Sequence, residues 1–263
     1  MRFALLVVLS LPLTAAGKGS ILAIFSHPDD ETAAGPLLAK YAAAGHEVNV
    51  VAITSGQKGT TPNTRLAGDE LGAAREEELR CSARALGIRP PVLLRYQDQG
   101  ISAPPVMEQV AGRLREIIAQ TKPDIVITWG PEGVTGHPDH RVTHSIVWQV
   151  FQQRGLLSHK PRKLYHLTFP EALFSAAPGG RRRPFHTVSG EFITAEIDVR
   201  GFLDAAGRSI RCHKTQWDDA RMQEMDAMNR ATLAGRSYLR LAMGDVPPPA
   251  GRREKDLFEG LNP

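Results

Sequence analysis

The sequence predicts an α/β fold, a Rossmann-like three-layer α/β/α domain with a mainly parallel sheet. The prediction rests on short apolar runs typical of buried strands, on longer segments of helical periodicity, and on a regular alternation of the two. Strands that alternate with helices imply a parallel sheet with right-handed crossovers and helices on both faces. No repeat or low-complexity linker interrupts the pattern, so residues 17–263 are predicted to form a single domain.

The predicted strands are short apolar runs bounded by Gly, Pro or polar residues. In chain order they are ILAIFS (21–26), EVNVVAIT (47–54), PVLLRY (91–96), DIVITW (124–129) and KLYHLTF (163–169). A sixth, more exposed strand is predicted at EFITAEIDV (191–199), after an irregular insertion over residues 170–190.

The predicted helices show apolar residues at helical spacing and recognisable ends. They cover residues 32–44, 69–87, 105–120, 139–153 and a region around 203–230. The helix over 69–87 begins with acidic residues, places Leu71, Leu79 and Leu86 near helical spacing, and ends at Gly87. Only a short C-terminal tail is predicted after the last helix.

The first and fourth strands are predicted to be neighbours. In the doubly wound order 3-2-1-4-5 they meet at the topological switch point, where ligands bind outside the carboxyl ends of the strands. The first strand is followed by HPDDETAAG and not by the G-x-G-x-x-G fingerprint of dinucleotide sites. This difference argues against a nicotinamide or flavin enzyme.

Residues 1–16 are predicted to be a signal peptide. They combine a basic start at Arg2, an apolar stretch over residues 3–13 and small residues before a cleavage site after Ala16. The apolar stretch is shorter than the roughly 20 residues of a membrane span, so no stable membrane span is expected. We therefore predict a secreted or periplasmic protein. An N-terminus that stays uncleaved as a membrane anchor, or a buried first strand, is the alternative.

Charge and cysteine content bear on several function classes. The net charge is only +4 and aromatic residues make up 6% of the chain, so no nucleic-acid partner is predicted. The basic triplet Arg181-Arg182-Arg183 is expected to lie in a solvated loop. Cys81 and Cys212 fit no metal or redox motif. Export would permit a disulfide between them, but two free, partly buried thiols are predicted.

Two charged motifs follow the first and fourth strands. HPDDE (27–31) comes directly after the first strand, and GHPDH (136–140) lies just beyond the fourth. If the strands are adjacent, histidines and aspartates from both motifs share one crevice: His27, Asp29, Asp30, His137, Asp139 and His140. So many charges are costly to bury together unless a cation sits among them. Two histidines and one carboxylate, with a position left for water, form a known catalytic zinc site, and Fe(II), Co or Mn suit the same ligands.

The residues of these motifs also have simpler explanations. A single histidine is more often a surface residue than a ligand, and Asp30 or Glu31 is suited to cap a helix that begins at Thr32. Capping does not explain why the triplet HPD occurs twice, each time after an apolar strand. The repeated triplet therefore favours a metal site.

The two histidine motifs resemble those of the PIG-L/LmbE-like family of metal-dependent N-acetylglucosaminyl deacetylases. The resemblance continues through AREEELRCSARALGI, RYQDQG, RCHKTQ and the closing DLFEGL, so it covers nearly all of the chain after residue 16. It implies a set of metal ligands, namely His27, Asp30 and His140. It implies further that Asp29 is the general base, that His137 stabilises the oxyanion and protonates the leaving amine, and that Asp139 holds that imidazole in its charged, donating orientation.

The resemblance also implies three substrate-binding residues, each of which has an alternative: Arg75, Asp98 and His213. Arg75 would contact sugar hydroxyls or a phosphate, but an i,i+3 ion pair with Glu78 would also explain it. Asp98 would bind the sugar, or it would belong to an Asx turn. His213 would line the cleft, or it would be a surface histidine beside Lys214.

The resemblance implies removal of the N-acetyl group from an N-acetylglucosamine-type sugar or sugar conjugate, with Zn²⁺, or Fe²⁺ or another divalent metal, as cofactor. The alternatives are an amidase acting on a larger sugar or thiol conjugate, a non-catalytic carbohydrate- or metal-binding relative, and a membrane-associated enzyme acting on a glycosyl phosphoinositide. The intact Asp29 and His137 favour an enzyme over a metal-binding relative. Specificity is expected to reside in segments able to roof the crevice, namely 55–68, 97–105 and 170–190.

Overall fold

The elements of the chain are taken from a computed structural model, which describes residues 19–59, 63–174 and 185–261. The predicted signal peptide and the triplet Arg181-Arg182-Arg183 lie outside the described residues. The strands are β1 (Ser20–Phe25), β2 (Glu47–Thr54), β3 (Val92–Tyr96), β4 (Ile125–Trp129), β5 (Lys163–Thr168), β6 (Ala195–Asp198) and β7 (Arg236–Gly244). The α-helices are α1 (Gly35–Ala43), α2 (Gly68–Leu86), α3 (Pro104–Thr121), α4 (Pro138–Gln152), α5 (Leu203–Ile210) and α6 (Asp219–Ala227). Within these ranges, no helix has both the length and the apolar character needed to cross a membrane.

The strands form one sheet with the order β3-β2-β1-β4-β5-β7-β6. The first five strands of the chain are parallel, which confirms the predicted order 3-2-1-4-5 and the α/β fold. β7 pairs antiparallel with β5 on one side and with β6 on the other. β1 lies directly beside β4, with Ile21 opposite Ile125, so the switch point is where the sequence predicts it.

Two apolar layers explain why β1 is apolar without interruption. Ile21, Ala23 and Phe25 belong to the core that also contains residues of α1, and Leu22 and Ile24 belong to a second core with residues of α3 and α4. α2 and α5 pack with α1 on the first side. Because helices cover both faces of the sheet, a central parallel strand buries every side chain.

β7 is the main element that the sequence prediction misses. Residues 236–244 form this strand, so the prediction of only a short tail after the last helix is wrong there. Tyr238 and Leu239 are buried, but Arg236 and Arg240 interrupt the apolar pattern that would have revealed the strand. The strand is stabilised by pairing with β5 and β6, and this pairing is a property of the fold and not of local sequence.

Cys81 and Cys212 form a disulfide, so the prediction of two free thiols is wrong. Their Cα atoms are 5.8 Å apart although the residues are separated by 131 positions in the chain. Cys81 lies in α2 and Cys212 follows α5, and these two helices pack against each other. The pairing therefore depends on helix packing that the local sequence does not reveal.

Candidate active site

The carboxyl ends of β1 and β4 bring the two charged motifs together. HPDDE follows β1 and enters a 3-10 turn over Asp30–Ala33, and α1 begins only at Gly35 because Pro36 favours the first turn of a helix. After β4, a loop leads to His137, which occupies the N-cap of α4. The rings of His27 and His137 are 4.7 Å apart, so both motifs contribute to one cleft.

Two histidine rings and one carboxylate converge in this cleft. The Asp30 carboxylate lies 3.1 Å from Nε2 of His140 and 3.5 Å from Nδ1 of His27. Nδ1 of His140 donates to the Gly133 carbonyl at 2.9 Å, and since a carbonyl can only accept, Nε2 carries the lone pair when this ring is neutral. In the same way Nε2 of His27 donates to Asp98 at 3.2 Å, which leaves the lone pair on Nδ1. Acceptor atoms of three residues thus face one another, as a bound cation requires.

The carboxylates around these rings favour positive charge at the site. Burial lowers the pKa of His27, but hydrogen bonds with Asp139, Asp30 and Asp98 outweigh burial and raise that pKa well above its ordinary value. Burial also opposes charge on Asp30, yet His140 and His27 hold the pKa of this carboxyl well below its usual range. A divalent cation would satisfy the same acids while the rings stay neutral, so the residues present fit a metal.

A second group of possible ligands lies on the other side of the His27 ring. Sets of ligand atoms within 4.8 Å of one another occur in His27, His137 and His140, and in His27, Asp98 and Asp139. Asp98 and Asp139 also accept backbone N–H groups, from Lys58 at 3.0 Å and from Gln99 at 2.8 Å. Asp98 and Asp139 thus lie on the Nε2 side of the His27 ring, a position from which carboxylates typically orient a histidine.

Asp29 lies beside the converging atoms, and its backbone is held in an unusual conformation. Its φ is 112°, which a residue with a side chain rarely adopts. The buried Arg75 guanidinium lies 3.1 Å from the Asp29 carboxylate and donates to the Pro28 carbonyl at 2.6 Å. Burial raises the pKa of Asp29 to about 6, although Arg75 acts in the opposite direction. Asp29 is thus a fixed carboxylate in the cleft, suited to accept a proton.

His137 and Asp139 differ from the expected arrangement. Nδ1 of His137 accepts the backbone N–H of Asp139 at 3.1 Å, so the neutral ring carries its proton on Nε2. The Asp139 carboxylate lies 3.4 Å from Nε2 of His27 and accepts the Gln99 amide. Burial and the nearby rings of His27 and His140 lower the pKa of His137. The Asp139 carboxylate therefore supports His27, and the expectation that it holds a charged His137 is not met.

Arg75 and Asp98 line the cleft, but both side chains are almost fully buried and already bonded. Arg75 also donates to the Gly56 carbonyl at 2.8 Å, whereas Glu78, its suggested ion-pair partner, accepts a backbone N–H from the segment after α5. Burial alone would raise the pKa of Asp98, but its hydrogen bond with His27 lowers that pKa to about 2. These contacts support the HPDDE turn and His27, and Nε of Arg75 is a buried donor without a hydrogen-bond partner among the described residues.

His213 and Glu31 form a buried pair beneath the HPDDE turn. His213 has no exposed surface, so the prediction that it lines the cleft and the alternative of a surface position are both wrong. Its Nε2 atom lies 2.6 Å from the Glu31 carboxylate, which also accepts the backbone N–H of Asp29 at 2.9 Å. Sequence reasoning left Glu31 without a chemical role, and the only local signal was its place in HPDDE.

The cleft has a volume of about 410 Å³ and two chemically different kinds of lining. Part of it carries the charged residues described above. Another part is apolar or aromatic and includes Trp129, Phe169, Phe185, Ile210, Trp217, Met225 and Met228. Each of the three predicted specificity segments contributes a lining residue, namely Lys58, Gln99 and Phe185. α6, for which the sequence predicts no such role, contributes Arg221 and Met225.

The chain is similar to proteins whose names describe deacetylation. A family model described as PIG-L, GlcNAc-PI de-N-acetylase, matches residues 22–151. A 1D-myo-inositol 2-acetamido-2-deoxy-alpha-D-glucopyranoside deacetylase of Acidothermus cellulolyticus is 31% identical, over 92% of this chain and 95% of its own. An N,N'-diacetylchitobiose deacetylase of Pyrococcus horikoshii superposes with a TM-score of 0.67 at 23% identity, over 93% of this chain and 87% of that one.

One solved structure with a similar fold carries a different name. GalB of Pseudomonas putida KT2440, a 4-carboxy-2-hydroxymuconate hydratase, superposes with a TM-score of 0.66 at 16% identity, over 88% of this chain and 99% of that one. At such identities a structural likeness shows the fold alone, because one fold hosts several chemistries. The chemistry of this chain therefore has to be argued from its own site residues.

Proposed function

We propose that this chain, which belongs to the PIG-L family of de-N-acetylases, removes the acetyl group from the nitrogen of an N-acetylglucosamine-type sugar or sugar conjugate. The observation that carries the proposal is the convergence of His27 Nδ1, His140 Nε2 and the Asp30 carboxylate in the cleft that also contains Asp29. The name of the Acidothermus cellulolyticus relative describes an acetamido sugar joined to inositol, which supports an amino-sugar substrate.

We assign His27, Asp30 and His140 as ligands of a divalent metal, with Zn²⁺ favoured and Fe²⁺ also suited to two imidazoles and one carboxylate. When bound, the ion would supply Lewis acidity and lower the pKa of water to about 7. Asp98 and the Gly133 carbonyl accept the N–H groups on the far sides of the two rings, so each ring presents a lone pair toward Asp30.

The reaction joins a water oxygen to the acetyl carbon and breaks the carbon–nitrogen bond, which yields acetate and a free amine. Asp29, held by Arg75, accepts the proton of the attacking water. Nε2–H of His137 donates a hydrogen bond to the developing oxyanion, because Nδ1 of the same ring already accepts the Asp139 amide. The leaving nitrogen also needs a proton. His137 can supply it only if its ring first gains a second proton and gives up the hydrogen bond with the Asp139 amide. The alternative source is the proton that Asp29 has accepted.

The test is amine release from a panel of N-acetylated amino sugars and their conjugates, measured with chelator and after Zn²⁺ or Fe²⁺ is restored. We expect release that chelator abolishes and metal restores. Asp29→Asn should keep its metal and lose about 10²- to 10⁴-fold in rate, because a positioned general base contributes that much. Asp69→Asn is the matched control, since Asp69 is an exposed carboxylate in the first turn of α2. An Asp29→Asn variant as fast as the wild type would contradict the assignment of the base.

The same panel separates the alternatives. Release only from larger sugar or thiol conjugates would favour an amidase, and release only from a glycosyl phosphoinositide in vesicles would favour a membrane-associated enzyme. No release from any member, with metal bound, would contradict the proposed function and favour a non-catalytic relative. His140→Ala should lower metal content together with rate, and full metal occupancy in that variant would remove His140 from the ligands.

We also propose that the chain is exported and that residues 1–16 are removed. The basic, apolar and small-residue pattern of that segment supports export. The Cys81–Cys212 disulfide supports it independently, because such bonds persist mainly in oxidising compartments. The mass of the protein secreted by its own host tests the proposal: a chain that begins at Gly17 is expected, and a secreted chain that still begins at Met1 would contradict cleavage.

A further inference from the structure

The backbone of Asp29 is held from both sides by short hydrogen bonds. Its φ of 112° is strained for a residue with a side chain, and such a conformation persists only where the surroundings hold it. The Asp29 N–H donates to Oε2 of Glu31 at 2.9 Å. The Asp29 carbonyl accepts the Thr32 amide at 3.1 Å and the Thr32 hydroxyl at 2.6 Å. Loss of the Glu31 acceptor would let this peptide relax, and the Asp29 carboxylate would move with it.

Glu31 is itself a buried carboxylate that depends on its donors. Its exposure is 1%, and a carboxylate so far from water is retained only where hydrogen bonds satisfy it. Oε1 accepts the Ser82 hydroxyl at 2.5 Å and lies 2.6 Å from Nε2 of His213. Ser82 in turn contacts the Ser209 hydroxyl at 2.7 Å. One oxygen of Glu31 thus holds Asp29, and the other is held by residues of α2 and of the turn after α5.

The two donors to Oε1 of Glu31 are the residues that directly follow the disulfide cysteines. Ser82 follows Cys81 in α2, and His213 follows Cys212 after α5. The disulfide therefore joins the two segments at the positions next to those that hold Glu31. In the described part of the chain it is the covalent cross-link between α2 and the α5 region, so its loss leaves the two segments connected only through packing and hydrogen bonds, such as that between Ser82 and Ser209.

We propose that Glu31 is a positioning residue for Asp29 and that the Cys81–Cys212 disulfide, by holding the donors to Glu31, makes the rate of deacetylation depend on thiol–disulfide state. The inference rests on the proposed function and adds redox control to it. A dithiol supplies two electrons and two protons: the S–S bond breaks, two cysteine thiols form, and the dithiol becomes a disulfide. Both cysteines keep partial solvent exposure, so a small dithiol can reach the bond.

The experiment compares kcat, KM and metal content in oxidised wild type, in wild type reduced with dithiothreitol, and in the Glu31→Gln variant. Residues that support a metal-site residue from behind typically contribute about 10- to 100-fold, so Glu31→Gln should lose that much in kcat. Reduction acts one step further away, and a loss of about three- to tenfold in kcat is expected. KM and metal content should stay close to the wild-type values, whereas a general loss of structure would change all three.

Two controls separate the disulfide from other effects of the reductant. In Cys81→Ser/Cys212→Ser the rate should already be lowered and should not respond to dithiothreitol, which excludes removal of metal by the dithiol. Glu77→Gln should behave as wild type, because Glu77 lies on the same helix as Ser82 but its side chain is 71% exposed. If Glu31→Gln does not fold, Ser82→Ala and reduced wild type, with far-UV circular dichroism as the check of folding, carry the comparison.

Amide hydrogen exchange at Asp29 tests the inference without any measurement of enzyme activity. We expect exchange of this amide to be at least about tenfold faster in reduced wild type and in Glu31→Gln, while the Ile24 amide in the core strand is unchanged. Unchanged kcat on reduction, or unchanged exchange at Asp29, would overturn the inference and leave the proposed function standing. An oxidised wild type that deacetylates nothing would overturn the proposed function, and the exchange at Asp29 would still decide whether the disulfide holds the turn.

Discussion

Replacing Lys163 with methionine is expected to lower the free energy of unfolding by about 4 kcal/mol. Lys163 in β5 has no exposed surface, and its ammonium is bonded to oxygens of the C-terminal segment and of its own strand. The partners are Glu254 Oε1 at 2.7 Å, the Glu259 carbonyl at 2.7 Å, the Leu257 carbonyl at 3.1 Å and the Tyr165 hydroxyl at 3.1 Å. Methionine fills a similar volume but carries no charge. The Glu254 carboxylate, which is 1% exposed, would then keep the hydrogen bond from the Tyr165 hydroxyl at 2.8 Å but lose its ion-pair partner. Breaking one side of a buried ion pair costs about 3–5 kcal/mol, because the remaining charge is uncompensated.

Urea unfolding at pH 8, extrapolated to zero denaturant, measures this change. The expected loss is a large part of the roughly 5–15 kcal/mol that stabilises a domain. The double variant Lys163→Met/Glu254→Gln removes both charges and should recover about half of the loss. Arg113→Met is the matched control, because Arg113 pairs with Glu116 at the surface and such pairs contribute less than about 1 kcal/mol. A single variant within about 1 kcal/mol of wild type, or a double variant less stable than the single one, would refute the reasoning.

Two further predictions concern Asp98 and His166. Asp98→Asn should weaken metal binding about 10- to 100-fold, because a neutral acceptor behind His27 lowers the basicity of the ring. Competition with a chelator measures the affinity. Equal affinities in the variant and the wild type would contradict the proposed support of His27 by Asp98. Burial lowers the pKa of His166 to about 3, below the value near 6.5 in an unfolded chain. The contribution of the neutral ring to the free energy of unfolding is therefore complete above pH 6.5 and is lost as the pH falls toward 3. Between pH 8 and pH 5, the free energy of unfolding of wild type, measured with urea, should therefore fall by about 2 kcal/mol more than that of His166→Gln. Equal decreases in the two proteins would show that His166 does not titrate in this way.

The parts of the structure that the sequence predicts correctly are those set by local composition. An apolar run such as that of β1 is compatible only with a strand covered on both faces, and five such runs separated by helices leave few arrangements. The charged motifs are informative for the same reason. HPDDE and GHPDH are too charged to continue an apolar strand, so each begins a turn or helix beyond the carboxyl end of β1 or β4.

The parts that the sequence does not predict depend on which distant residues meet. His213 looks like a cleft or surface residue because Lys214 follows it, yet Glu31 draws it into the interior. The same is true of Cys81 and Cys212, whose pairing requires α2 and α5 to be packed together. Local spacing carries no information about such contacts, since each partner alone fits a more ordinary environment.

The arrangement of the site also limits what the two motifs can specify alone. The lone pair on Nδ1 of His27 depends on Asp98 after β3, and the conformation of Asp29 depends on Arg75 and Glu31. The lone pair on Nε2 of His140 depends on the Gly133 carbonyl, where φ is +70° and an added Cβ would meet His140. A chain that kept HPDDE and GHPDH but lost Asp98 or Arg75 would keep the three proposed ligands and yet present a misdirected ring or a displaced carboxylate at Asp29. Retention of both motifs is therefore necessary for the proposed chemistry but not sufficient, and the supporting residues in RYQDQG and AREEEL have to be present as well.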